Sequence, residues 1–83
     1  MVIERVDKDP SFERIFEKLD NTIKEKVKKQ IRKIIDNPEI GKPMRYVRKG
    51  TRELYVKPFR LSYSYIVEDK KIVLLDLYHK DEQ

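Results

Sequence analysis

The chain has 83 residues, a formal net charge of +5, 42% charged residues and no cysteine. That length suits one domain with a single two-layer core, burying roughly 60–65% of its unfolded surface. A disulfide framework and a thiolate metal site are excluded, no run approaches the roughly 18 apolar residues of a membrane span, and "MVIERVDKD" is too charged for a signal peptide, so a soluble cytoplasmic protein is expected.

"MVIERV" is a short apolar strand candidate. "DKDPSFERIFEKL" sets Asp9 at an N-cap and Pro10 at the first helical position. Phe12, Ile15, Phe16 and Leu19 then follow at amphipathic-helix spacing. "DN" at 20–21 caps a second helix with Ile23, Val27, Ile31, Ile34 and Ile35 as its stripe, and "DNP" at 36–38 stops it. Two helices joined this tightly form an antiparallel hairpin. After the loop "EIGKP" the period changes to two. "MRYVRK" reads as a strand, "GT" as a turn and "RELYVK" as a strand with Leu54 and Val56 inward. "FRLSYSYIV" and "KIVLLDLY" then form a hairpin around "EDKK". The order β-α-α-β-β-β predicts an α+β domain over residues 1–83, an antiparallel sheet with the helical hairpin on one face.

Charge is uneven along this order. Residues 24–33 hold six basic residues and one acid, residues 45–60 hold the same, and the remainder is net acidic. Two basic foci of this kind suggest a polyanionic or acidic partner. Lysine, glutamate and isoleucine are abundant while cysteine and tryptophan are absent, which leans toward a thermophilic source.

In "PFRLSYSYIV" the residues Phe59, Leu61, Tyr63, Tyr65 and Val67 fall on one face and Arg60, Ser62 and Ser64 on the other. Arg60 is therefore either a solvated or salt-bridged charge, or part of an anion site. With the first set under the helices, a regular hairpin brings Val73, Leu75 and Leu77 inward. It sets Arg60 opposite Lys80, Ser62 opposite Tyr78, and Ser64 opposite Asp76. The uncovered face then gathers Tyr55, Lys57, Arg60, Tyr78 and Lys80, with Glu53 also outward and His79 at the rim of the core-side row.

The chain from "NPEIGKP" to "HKDE" resembles the RelE/ParE superfamily of toxin–antitoxin toxins. There a helical hairpin precedes strands reading roughly "(Y/F)R(L/V)xY", and an apolar strand ends in a basic cluster. "FRLSY" and "HKDE" are the matching pieces, and the element order agrees over nearly the whole chain. The resemblance implies a ribosome-dependent mRNA endoribonuclease with a RelB-like acidic antitoxin as partner. Arg60 matches the family's strand arginine, Lys80 and His79 its basic ending, and Lys57 lies near its basic pair. Tyr55 and Glu53 stand where many relatives carry basic residues, and the C-terminal tyrosine of several RelE-type enzymes has no counterpart.

Metal-free RNA cleavage needs a base, an acid and cations at the phosphate. Nothing in the sequence reads as a metal cluster, and no cofactor is expected. Arg60 suits bidentate phosphate binding. Lys57 and Lys80 offer a base or local charge, and histidine, here His79, is the side-chain type that ordinarily titrates nearest neutrality. Tyr55 and Tyr78 offer a stacking surface or a phenolic donor. Arg45, Arg48, Lys49 and Arg52 flank a glycine turn and read as contacts to RNA backbone. The lysines of 24–33 read as a solvated helix face. Two rival readings stand beside the nuclease: a ParE-like inhibitor of DNA gyrase that cleaves nothing, and an inactive RNA-binding relative.

Overall fold

Both helix starts are set by local chemistry. In the computed structural model, which describes residues 2–46 and 49–79, Pro10–Glu17 form helix α1 and Asn21–Asp36 form helix α2. Asp9 accepts a hydrogen bond from the Ser11 amide at 2.9 Å, and Asp20 accepts one from the Ile23 amide at 2.9 Å. Each satisfies an amide that the helix itself leaves without a partner. An eight-residue helix is marginal by itself, so α1 depends on burying Phe12 under the sheet.

The strands are β1 (Arg5–Lys8), β2 (Lys42–Pro43), β3 (Arg52–Val56), β4 (Phe59–Ile66) and β5 (Lys71–His79). They form one sheet in the order β1-β5-β4-β3-β2. β2 to β5 run antiparallel as expected, and β1 adds at the edge parallel to β5, so the sheet as a whole is mixed. Helix α1 packs against β5 and α2 against β3. Phe12, Val27, Ile34, Val56, Leu61, Tyr63, Ile72, Leu74 and Leu77 make the buried core between the layers.

Three expectations are corrected. The strand expected over residues 44–49 is absent from the described part of that stretch. Pairing stops at Pro43, which has no amide hydrogen to continue a ladder, and Tyr46 (φ 60°) and Gly50 (φ 98°) bend the chain away. The Met44 amide instead closes the loop on the Thr51 carbonyl at 3.0 Å. Second, Val67 is 59% exposed rather than inward, because Val67–Asp69 form a 3-10 turn that Lys70 closes in the left-handed region.

Third, the β4–β5 register is displaced and interrupted. Arg60 pairs with Tyr78 and Ser62 with Asp76, but the next residue, Tyr63, pairs with Leu74. Leu75 is the extra residue of a bulge, and the Asp76 carboxylate accepts a hydrogen bond from the Leu77 amide at 2.8 Å there. The bulge switches parity along β5, so the buried set is Leu77, Leu74 and Ile72 rather than Leu77, Leu75 and Val73. Both sets keep leucines inward, which is why the apolar pattern alone does not distinguish them.

Candidate functional site

The open face of the sheet is organised by a carboxylate. Glu53 on β3 faces away from the helices, yet it is only 5% exposed. Tyr78 on β5 donates its hydroxyl to Glu53 Oε2, reaching across β4, and Arg60 Nη1 on β4 lies 3.7 Å from Glu53 Oε1. Ser62, paired with Glu53 in the register, lies buried beneath. Three neighbouring strands thus each send one polar side chain to a single point. A buried carboxylate is tolerated when a cation and a hydrogen-bond donor meet it. Arg60 is therefore salt-bridged, with its side chain still 37% exposed to a ligand.

Beside this point β2 and the loop that follows it raise one wall of a cleft of about 760 Å³. Its lining includes Lys42 from β2, Arg45 and Tyr46 from the loop, and Glu53, Tyr55 and Arg60 from β3 and β4. With Glu53 answered by Arg60, Lys42 and Arg45 leave the cleft net positive. The expected residues Tyr55, Arg60, Tyr78 and Arg45 are brought together here or directly alongside.

Other expected residues go elsewhere. Arg52 has the opposite parity to Glu53 and turns to the helix side. There Nη1 donates to the carbonyls of Glu39 at 3.0 Å and Gly41 at 2.8 Å. Tyr63, its cross-strand partner, donates to the Pro38 carbonyl at 2.7 Å and accepts from the Gly41 amide at 2.9 Å. Burial pushes the Tyr63 phenol above its usual 10.0, although the Gly41 amide and the Arg52 charge pull it down. This cluster moors the 38–41 segment that leads into the cleft wall. Lys57 is exposed in the tight β3–β4 turn, and Lys49 is exposed in the loop. His79 pairs with Phe59, its ring edge-on at 5.8 Å, on the face opposite Arg60. Arg48 and Lys80 lie outside the described residues.

Sequence reading missed Glu53 as the centre of the face, because one acid in a basic strand looked like a departure from a cationic pattern. A signal was present: with Leu54 and Val56 inward, Glu53 lies on the same face as Arg60. Tyr46 was missed because it was read as a strand residue.

A chain of the RelBE2 toxin–antitoxin complex from Mycobacterium tuberculosis superposes with a TM-score of 0.84 at 26% identity, covering 95% of this chain and 100% of that one. A YoeB/ParE toxin from Agrobacterium tumefaciens gives a TM-score of 0.83 at 15% identity, covering 92% and 98% of the two chains. A chain of the intact Escherichia coli RelBE complex gives 0.78 at 20% identity, covering 89% and 93%. Among curated protein sequences none matches. The family model of the ParE toxin of type II toxin–antitoxin systems, parDE, matches residues 6–83. Nearly the whole chain, including both helices, the open sheet face and the basic ending, thus lies within that match, and the protein belongs to the ParE toxin family in the RelE/ParE superfamily of type II toxin–antitoxin toxins.

Proposed function

We propose that this toxin is a RelE-type endoribonuclease that cuts mRNA in the translating ribosome, in the cytoplasm, and is silenced by an acidic RelB-like antitoxin. The observation that carries the reading is the meeting of Glu53, Arg60 and Tyr78 on an open, cationic sheet face. Attack by a 2′-hydroxyl needs a proton acceptor, a cation for the charge that builds on the phosphate, and a donor for the leaving 5′-oxygen. Arg60 takes the phosphate in a bidentate grip. As the guanidinium turns from Glu53 to the phosphate, the carboxylate accepts the 2′-hydroxyl proton while Tyr78 holds its other oxygen. The bond from phosphorus to O2′ forms as the bond to O5′ breaks. The proton for O5′ comes from Lys80, which the resemblance sets at the basic end of the chain, since His79 stands against Phe59 on the other face. No step uses a metal or a small-molecule cofactor. Similar toxins stand in complexes with antitoxins in Escherichia coli, Mycobacterium tuberculosis and Pyrococcus horikoshii, which supports a partner of the same kind here.

The test is to map mRNA cleavage in a translation reaction with and without ribosomes, for the parent and Glu53→Gln. Cuts are expected only with ribosomes, and the variant should lose about 10²- to 10⁴-fold in rate while unfolding like the parent. A parent that leaves mRNA intact under growth-arresting doses ends this reading.

Two observations favour a second reading, a toxin that inhibits DNA gyrase without cleaving anything. The matching family model is that of ParE toxins, and the charge of Arg60 is already answered by Glu53. Inhibition of gyrase supercoiling by the purified toxin, with mRNA untouched, is its signature. An inactive RNA-binding relative would bind mRNA without doing either.

A further inference from the structure

Tyr46 is the most exposed large apolar side chain among the described residues, at 89%, and its backbone sits at φ 60°. A bulky residue rarely adopts that left-handed conformation, and here no burial of the ring offsets the strain. Two hydrogen bonds hold the loop in place: the Met44 amide to the Thr51 carbonyl, and the Lys49 amide to the Tyr46 carbonyl, each at 3.0 Å. The ring therefore stands at the cleft from a constrained loop. Tyr55, 46% exposed, lines the same cleft from the sheet. Lys42, Arg45 and Arg60 supply positive charge alongside.

Exposed aromatic faces set among cations match one ligand chemistry well, an unpaired nucleobase whose flanking phosphates meet the cations. We propose that Tyr46 and Tyr55 form a stacking site for one unpaired base of the RNA, and that this site selects which nucleotide is held next to Arg60. The inference rests on the nuclease reading and deepens it. Tyr46 supplies the stacking face from the loop, and Tyr55 supplies it from the sheet. Neither ring carries out the chemistry; they hold the strand while Arg60 holds the phosphate.

The test uses the full-length toxin and ribosomes programmed with a short mRNA, intact or carrying one abasic nucleotide at each position around the cut. Single-turnover cleavage is read for the parent, Tyr46→Trp and Tyr46→Asn. Asparagine tolerates a left-handed backbone but offers no ring, so its unfolding midpoint should stay near the parent's. In the parent, removing one particular base should slow cleavage about 5- to 150-fold, the range of one stacked base. Tyr46→Asn should slow intact mRNA by a similar factor and lose the dependence on that base, while Tyr46→Trp keeps it. If Tyr46→Asn slows every mRNA equally and keeps the parent's base dependence, the ring only supports the loop and the stacking site is overturned. A parent that cleaves but is indifferent to every base overturns the site and leaves the nuclease standing. A parent that cleaves nothing, or arrests gyrase instead, overturns both.

Discussion

Two arginine–tyrosine pairs cross neighbouring strands on opposite faces of this sheet. Arg52 faces Tyr63 across β3 and β4, and Arg60 faces Tyr78 across β4 and β5. On the helix side, both members bond to backbone groups of the Pro38–Gly41 segment. On the open side, both converge on the Glu53 carboxylate. Residue type alone therefore says little about role; the partner decides. Backbone carbonyls cannot leave, so the first pair is a mooring. A carboxylate can be exchanged for a phosphate, so the second pair suits a ligand.

The sharpest contrast is between the two arginines. Arg60→Ala should reduce toxicity about 10²- to 10³-fold, the usual loss for one transition-state donor, which exceeds its cost in stability of about 1–3 kcal/mol, a cost that arises because buried Glu53 loses its cation. Arg60→Lys should recover little of it, because an ammonium cannot bind phosphate as a fork. Arg52→Ala should do the reverse, losing stability first. Growth arrest at equal expression, set beside urea unfolding, checks both, and a reversed pattern breaks the distinction between mooring and site.

The mooring has little slack. A Cβ on Gly41 would lie 2.7 Å from both Cε1 and the hydroxyl of Tyr63, a residue with no exposed surface. Gly41→Val should destabilise by about 2–4 kcal/mol from overpacking and broken hydrogen bonds. Thermal unfolding reads this directly, and a variant as stable as the parent would show that the loop moves freely.

Removing the phenols gives a smaller effect. Tyr63→Phe should cost about 1–3 kcal/mol, since it leaves a buried carbonyl and amide without partners; Tyr78→Phe, only partly buried, should cost less. The Tyr63 phenol is raised by burial in the folded state, so the native protein holds that proton more tightly than the unfolded chain does. Its contribution is complete below about pH 10 and is lost as pH rises beyond that toward the folded value. The parent should lose stability above about pH 10 relative to Tyr63→Phe, and parallel unfolding curves across that range would contradict the assignment.

The smallest change concerns the basic helix. Replacing Lys26, Lys29 and Lys33 with glutamine should alter stability within about 0.5 kcal/mol. It should alter the salt dependence of antitoxin association less than replacing Lys42 and Arg45 does. Association rates between roughly 50 and 500 mM salt test this; equal effects from both sets would move the antitoxin contact toward the helices.

Much of the layer architecture could be read in advance from local pattern. Asp9, Pro10 and Asp20 announced both helices, and the alternation from Phe59 to Tyr65 correctly set Leu61 and Tyr63 inward and Arg60 outward. Local signals were weaker where the chain pairs with distant segments. The basic focus at 45–60 looked like one surface in sequence, yet strand parity sends Arg52 to one side of the sheet and Arg60 to the other. The Leu75 bulge was invisible because Val73, Leu74 and Leu75 are all apolar, so either parity satisfies the core.

By itself, then, the sequence determined the two helices, the last three strands, the inward face of β4 and the likeness to toxins, because caps, turns and periods depend on residues only a few positions apart. Tertiary structure alone decided the bulged register, the parallel edge position of β1, the turning of Arg52 to the loop, and the burial of Glu53 between Arg60 and Tyr78. Each of those depends on which residue lies opposite on another strand, and a slip of one position there reverses the face on which every side chain stands.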